Sequence, residues 1–67
     1  MLRQIKYFLE VVKCNSFTGA AERCFISQSA ISQQINALEE TLGVKLLKRE
    51  KRKFSLTPAG EYLYQNG

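Results

Sequence analysis

With 67 residues, the chain has room for one small domain whose core is only marginally stable by itself. It contains two cysteines, no histidine and no aspartate, which excludes a zinc site with the usual ligands and leaves a nucleophilic active site without its ordinary base. We therefore expect neither an enzyme nor a metal or other cofactor. No apolar run approaches the length of a membrane span and no signal-peptide pattern opens the sequence, so we expect a cytoplasmic protein with reduced thiols and no membrane partner.

The net charge of +4 is distributed unevenly along the chain. Up to residue 44 the basic and acidic side chains cancel, with Arg3, Lys6, Lys13 and Arg23 against Glu10, Glu22, Glu39 and Glu40. The excess lies in a short basic segment, residues 45–53, which contains Lys45, Lys48, Arg49, Lys51, Arg52 and Lys53. Such a concentrated positive field favours a polyanionic partner, although a solvated, solubilising loop has the same composition.

The first two predicted elements are amphipathic helices. The first has apolar residues at the i, i+3, i+4 and i+7 spacing of one helix face, namely Ile5, Phe8, Leu9 and Val12. After a break at Asn15-Ser16 the same spacing returns with Phe17, Ala20, Ala21 and Cys24. Ser16 or Thr18 can cap this second helix. Its small inner side chains let another helix cross closely, which is typical of a helix-turn-helix.

Both cysteines lie on these predicted helices. Cys24 continues the inner face of the second helix, and Cys14 is near the end of the first. Because a free cysteine packs as a small hydrophobic residue, we interpret both as core-filling residues and not as redox groups.

A third helix is predicted over residues 28–42. Ser27 has the side chain of an N-cap, and Gly43 is suited to end the helix. The predicted core face consists of Ile31, Ile35, Leu38 and Leu42. The opposite face carries Ser29, Ser32, Gln33, Asn36 and Glu40.

The outward face of this third helix begins with uncharged hydrogen-bonding groups that suit base edges. Gln and Asn can pair with adenine through two hydrogen bonds, and Ser can donate or accept. Glu39 and Glu40 are expected to repel phosphates, so only the first two turns should lie deep in a groove. For any single one of these side chains, a merely solvated surface is the alternative interpretation.

Beyond the third helix the pattern predicts a two-stranded wing. The strands are an apolar segment from Val44 to Leu47 and the alternating residues 54–56. The tip, residues 50–53, lacks the Gly or Asn of a tight turn, so we expect a longer or irregular loop.

A fourth helix is predicted to begin at Pro58, capped by Thr57. Ala59, Tyr62 and Leu63 share one face of it, while Tyr64 points elsewhere. This apolar surface exceeds what one small domain can cover and predicts a partner helix.

Three stretches of the sequence together resemble a known family. They are LRQIKYFLEVVKCNSFTGAAER, SQSAISQQINALEETLGVKLLKR and LTPAG, and they resemble the amino-terminal domain of LysR-type transcriptional regulators over essentially the whole chain. The resemblance implies a mainly α, winged helix-turn-helix domain over residues 1–57. Residues 58–67 would begin a linker helix that pairs in a homodimer, with a higher oligomer in the full-length protein. A small-molecule effector would bind a further domain absent from this chain.

The resemblance also implies particular DNA contacts. Family members use the positions of Gln28, Ser29, Ser32 and Gln33 toward bases, that of Thr18 toward phosphate, and the wing near Arg52 toward backbone or minor groove. From the outward face and the basic segment we add Asn36, Arg49, Lys51 and Lys53. Many members have proline in place of Ser29 and arginine in place of Gln33, so the base preference of relatives does not carry over unmodified.

The expected function is sequence-specific binding of double-stranded DNA. Recognition helix 28–42 would enter the major groove, and basic wing 48–54 would contact the backbone or minor groove. The alternative is a winged-helix module that binds protein or RNA, which requires an apolar outward face on the third helix or aromatic residues on the wing.

Overall fold

A computed structural model of the chain describes residues 2–50 and 53–66. Within these residues the elements follow the order α1 (Leu2–Cys14), α2 (Phe17–Cys24), α3 (Gln28–Leu42), β1 (Leu47–Glu50), β2 (Lys53–Leu56) and α4 (Pro58–Asn66). Helices α1, α2 and α3 pack against one another, and β1 and β2 form an antiparallel hairpin. The predicted fold class, a three-helix core with a two-stranded wing and a following helix, is confirmed.

Local capping residues determine where the helices begin and end. Asn15 leaves α1 with a positive φ of 52°, a conformation that asparagine tolerates well. Ser16 then accepts a hydrogen bond from the Gly19 amide at 3.0 Å, so Ser16 and not Thr18 is the cap of α2. Ser27 accepts likewise from the Ala30 amide at 3.0 Å, and Gly43 ends α3 with a φ of 75°. The predicted bounds of α3 are confirmed.

The core lies between the three helices and the base of the hairpin. Its buried side chains are Phe8, Val11, Ala20, Ala21, Ile31, Ile35, Leu38, Leu46 and Leu47. The prediction that Leu42 belongs to this core is wrong, because its side chain is 40% exposed. Leu46 and Leu47 supply the buried side chains that follow Leu38, so the last residue of α3 is left at the surface.

The hairpin starts later than predicted. Val44 is exposed and β1 begins only at Leu47, because the amides of Leu46 and Leu47 donate to the side chain of Glu39 at 2.8 and 3.2 Å. The register pairs Glu50 with Lys53. Residues 51 and 52, on which the prediction of a longer or irregular loop falls, lie outside the described residues.

Helix α4 begins as predicted and is tied to the base of the hairpin. The Thr57 hydroxyl accepts from the Gly60 amide at 3.0 Å and donates to the Lys45 carbonyl at 2.6 Å. A Cβ placed on Gly60 would overlap the carbonyl oxygen of Leu46, so glycine permits this close approach. Among residues 2–50 and 53–66, no helix combines the length and apolar character needed to cross a membrane.

Candidate nucleic-acid interface

The outward face of α3 is polar and accessible, as the sequence predicts. Ser29, Gln33 and Asn36 are exposed, and Ser32 is half-buried. Within the described residues, the side chains of Ser29 and Gln33 make no hydrogen bond to the rest of the domain. These two side chains are therefore available to an external partner without breaking an internal contact.

Gln28, at the start of α3, is hydrogen-bonded to the neighbouring helix α2. The Thr18 hydroxyl on α2 donates to the Gln28 side-chain oxygen at 3.1 Å. Both residues are exposed, and the arrangement leaves the Gln28 amide N–H groups directed to other acceptors. The resemblance had assigned Thr18 to phosphate and Gln28 to bases, and the structure brings the two side chains into direct contact.

Arg49 is exposed, but its guanidinium lies against the helices. Its guanidinium lies 4.8 Å from the centroid of the Phe17 ring, and it donates to Ser32 Oγ at 3.1 Å and to Asn36 Oδ1 at 3.3 Å. The sequence analysis had included Arg49 among the expected DNA contacts. Strand alternation was the signal for this arrangement, because residues 47 and 49 lie on the same face of β1 and Leu47 is buried.

The structure describes the other basic residues of the wing only in part. Lys48 is exposed on the opposite face of β1 from Arg49. The site predictions for Lys51 and Arg52 fall outside the described residues, and of Lys53 only the backbone is described, as the first residue of β2.

The carboxylate of Glu39 joins α3 to the start of β1, whereas the sequence analysis counted it among the surface charges. Glu39 is only 6% exposed, and its Oε2 accepts from the amides of Leu46 and Leu47. Lys45 Nζ lies 4.0 Å from its Oε1. The expectation that Glu39 repels phosphate assumed an exposed carboxylate, whereas the structure buries it. Of the two carboxylates, Glu40 is the exposed one.

The three residues predicted for dimerisation occupy unequal positions on α4. Ala59 and Leu63 are half-buried and pack against the domain's own core, whereas Tyr62 is 71% exposed. Leu63 also borders a largely apolar groove along α1, whose lining includes Leu2, Ile5, Leu9 and Phe25 together with charged side chains such as Arg3 and Lys6.

Both cysteines are free thiols that are partly buried. Partial burial raises the pKa of the Cys24 thiol, and the nearby carboxylate of Glu10 raises it further. Glu10 itself pairs with Arg23 at 3.0 Å. A raised pKa lowers the thiolate fraction at neutral pH, which supports a packing role for Cys24 over a reactive one.

Comparison with known proteins places this fold and surface in a family. The family model described as bacterial regulatory helix-turn-helix protein, lysR family, matches residues 2–61. The HTH-type transcriptional regulator BenM of Acinetobacter baylyi is 47% identical over 64 residues, which make up 96% of this chain and 21% of BenM. The Hca operon transcriptional activator HcaR of Escherichia coli is 48% identical over 65 residues, 97% of this chain and 22% of HcaR. The chain therefore spans about a fifth of the length of these relatives.

Solved structures agree with this assignment. The crystal structure of the BenM_DBD/catB site 1 DNA complex matches with a TM-score of 0.92 and 45% identity, covering 98% of this chain and 71% of that chain. The crystal structure of the CbnR_DBD-DNA complex matches with a TM-score of 0.92 and 41% identity, covering 98% and 76%. By sequence and by structure, the chain belongs to the lysR family of bacterial regulatory helix-turn-helix proteins.

Proposed function

We propose that this chain is the sequence-specific, double-stranded-DNA-binding module of a transcriptional regulator, with α3 in the major groove and wing 48–54 on the backbone or minor groove. The observation that carries the proposal is the juxtaposition of two surfaces. An exposed row of uncharged hydrogen-bonding side chains on α3 adjoins a hairpin in the segment that holds the whole net charge. The similar structures solved as DNA complexes support the same conclusion.

Ser29 and Gln33 are the strongest candidates for direct base contacts. Both are exposed on the first two turns of α3, which is the part of a recognition helix that usually reaches base edges. The Gln33 amide can pair with adenine through both its oxygen and its nitrogen. In this role Gln33 would determine the preferred base at one position of the operator.

Substitution of Gln33 tests the proposed readout. Sites are first selected from a random duplex pool, and binding of the parent and Gln33→Ala is then measured on the selected and a scrambled duplex. We expect the preference for the selected site to fall by about 1–3 kcal/mol while binding to the scrambled duplex is unchanged. Gln65→Ala, which removes an exposed glutamine from α4, is the matched control and should behave like the parent. Equal losses on both duplexes would reassign Gln33 to the backbone.

A winged-helix module that binds RNA or protein is the other candidate function. Single-stranded RNA is usually bound by aromatic side chains on which bases stack. Here the wing aromatic, Phe54, is half-buried and makes an edge-to-face contact with Phe17 at 5.4 Å between ring centroids. This contact engages Phe54 within the domain, which makes it less available for stacking on bases and favours DNA. Stronger competition by single-stranded RNA than by duplex DNA would reverse the choice.

We further propose residues 1–57 as the DNA-binding domain and residues 58–67 as the start of a linker helix that pairs with a second copy. The exposed Tyr62 and the apolar groove beside Leu63 support this pairing. Sedimentation at rising protein concentration tests it, and a strict monomer at high concentration would contradict it. We propose that the module acts in the cytoplasm, without an enzymatic role, and that any small-molecule effector binds a different domain of a full-length regulator.

A further inference from the structure

Arg49 is placed by the hairpin register on the inner face of the wing. The residues of β1 and β2 that lie on this face are Leu47, Arg49, Phe54 and Leu56, and they pair across the strands as Leu47 with Leu56 and Arg49 with Phe54. Lys48 lies on the outer face. Both neighbouring cations on β1 are exposed, but Arg49 lies on the side of the helices and Lys48 on the opposite side.

One guanidinium group connects three elements of the domain. From β1, Arg49 stacks over Phe17 at the start of α2, with 4.8 Å to the ring centroid. Its two terminal nitrogens donate separately to Ser32 Oγ and Asn36 Oδ1, at 3.1 and 3.3 Å. Ser32 and Asn36 are one helical turn apart on α3, so both lie beneath the same planar group.

The Phe17 ring also contacts the second strand of the wing. Phe54 of β2, the register partner of Arg49, meets the Phe17 ring at an interplanar angle of 71°. Both strands of the wing therefore contact Phe17, and Arg49 also extends to the outward face of α3. Through the contacts of Arg49 and Phe17, the position of the wing is coupled to the orientation of the side chains on α3.

We propose that Arg49 is a positioning residue for base recognition, which orients Ser32 and Asn36 and sets the wing beside α3, and that it does not serve as a phosphate contact. The proposal rests on the proposed function. Because Arg49 occupies oxygen acceptors of both side chains, the Ser32 hydroxyl proton and the Asn36 N–H groups are left to face outward. Such donors suit base edges that present acceptors, such as guanine N7 and O6 or thymine O4.

The Arg49→Lys variant separates this role from simple charge. Lysine keeps the positive charge but has no planar fork, so it cannot stack on Phe17 and bond to both acceptors together. We expect Arg49→Lys to lose about tenfold in the ratio of selected-site to scrambled-duplex binding, close to the loss for Arg49→Ala, with the dependence on salt unchanged. Arg3→Lys makes the same exchange at an exposed arginine of α1, outside the proposed interface, and should leave the ratio unchanged. A parent-like ratio in Arg49→Lys would overturn the proposal.

A measurement without DNA tests the contact on its own. In the free protein, Arg49→Lys should shift the NMR signals of the Asn36 side-chain amide and the Phe17 ring, whereas Arg3→Lys should not. Unshifted signals would overturn the proposal even if affinity changed. If the parent protein binds no duplex, the proposed function fails and the recognition role fails with it, while the shifted signals would still establish that Arg49 holds the outward face of α3.

Discussion

The helical part of the domain, residues 2–43, and the part formed by the hairpin and α4 are built in different ways. The helical part carries no net charge up to residue 44, and its elements begin and end at local caps. The hairpin part carries the excess of +4 and is held by distant contacts, from Glu39 to the start of β1 and from Thr57 to Lys45. Under the proposed function, the groups that attract DNA and those that read bases lie in separate segments, which long-range side-chain contacts bring together.

Glycine-to-alanine exchanges in the two parts should have opposite effects on stability. In the hairpin part, Gly60→Ala places a Cβ on the carbonyl oxygen of Leu46 and should lower the free energy of unfolding by about 1–3 kcal/mol. In the helical part, a Cβ at Gly19 meets its nearest atom, Cys14 Cβ, at 3.5 Å, an ordinary contact. Gly19→Ala should therefore raise the free energy of unfolding by about 0.5–1 kcal/mol.

Urea denaturation followed by circular dichroism measures both exchanges under the same conditions. If Gly60→Ala were as stable as the parent, α4 would not be anchored to Leu46 as the structure has it. The distinction between a locally determined helical part and a contact-determined hairpin part would then be lost.

Removal of cations should weaken DNA binding only when the cations come from the basic segment. Replacing Lys51, Arg52 and Lys53 with alanine should reduce binding to selected and scrambled duplexes alike, and should flatten the salt dependence by about 0.9 per lost phosphate contact, up to roughly 2.7 in all. The matched control replaces Arg3, Lys6 and Lys13, three exposed cations of α1.

Affinity measured over a range of salt concentrations distinguishes the two triple variants. We expect the α1 variant to keep the parent's slope, although it loses the same formal charge. Equal slopes in both variants would mean that net charge attracts DNA without a dedicated wing, which is the solubilising-loop interpretation of the basic segment.

The smallest expected effect is on the alkylation rate of Cys24, a thiol in the helical part. Since burial and Glu10 raise the pKa of Cys24, alkylation of this thiol should reach half its maximal rate at a higher pH in the folded protein than in the urea-unfolded chain. A Cys14→Ser background isolates Cys24, and iodoacetamide reaction followed by mass spectrometry gives the rates. A lower midpoint in the folded protein would instead indicate an activated, redox-competent cysteine.

Much of the helical part could be predicted from the sequence because its signals are local. The 3.6-residue periodicity identified the inner faces of α1, α2 and α3, and Ser27 and Gly43 marked the ends of α3 within one residue of each boundary. The outward polar face of α3 follows from the same periodicity. The same periodicity wrongly placed Leu42 in the core, because burial at a helix end depends on which elements pack beside it.

The sequence by itself therefore determined the helices, the caps of α3, the basic segment and the family. Only the tertiary structure decided that Ser16 caps α2, that Glu39 is buried, and that Arg49 reaches the outward face of α3. The physical reason is the sequence separation over which each kind of interaction acts. Caps and helix periodicity act over three or four residues, whereas the bond from Leu46 to Glu39 spans seven residues and that from Arg49 to Ser32 spans 17. Such contacts exist only after the chain has folded back on itself.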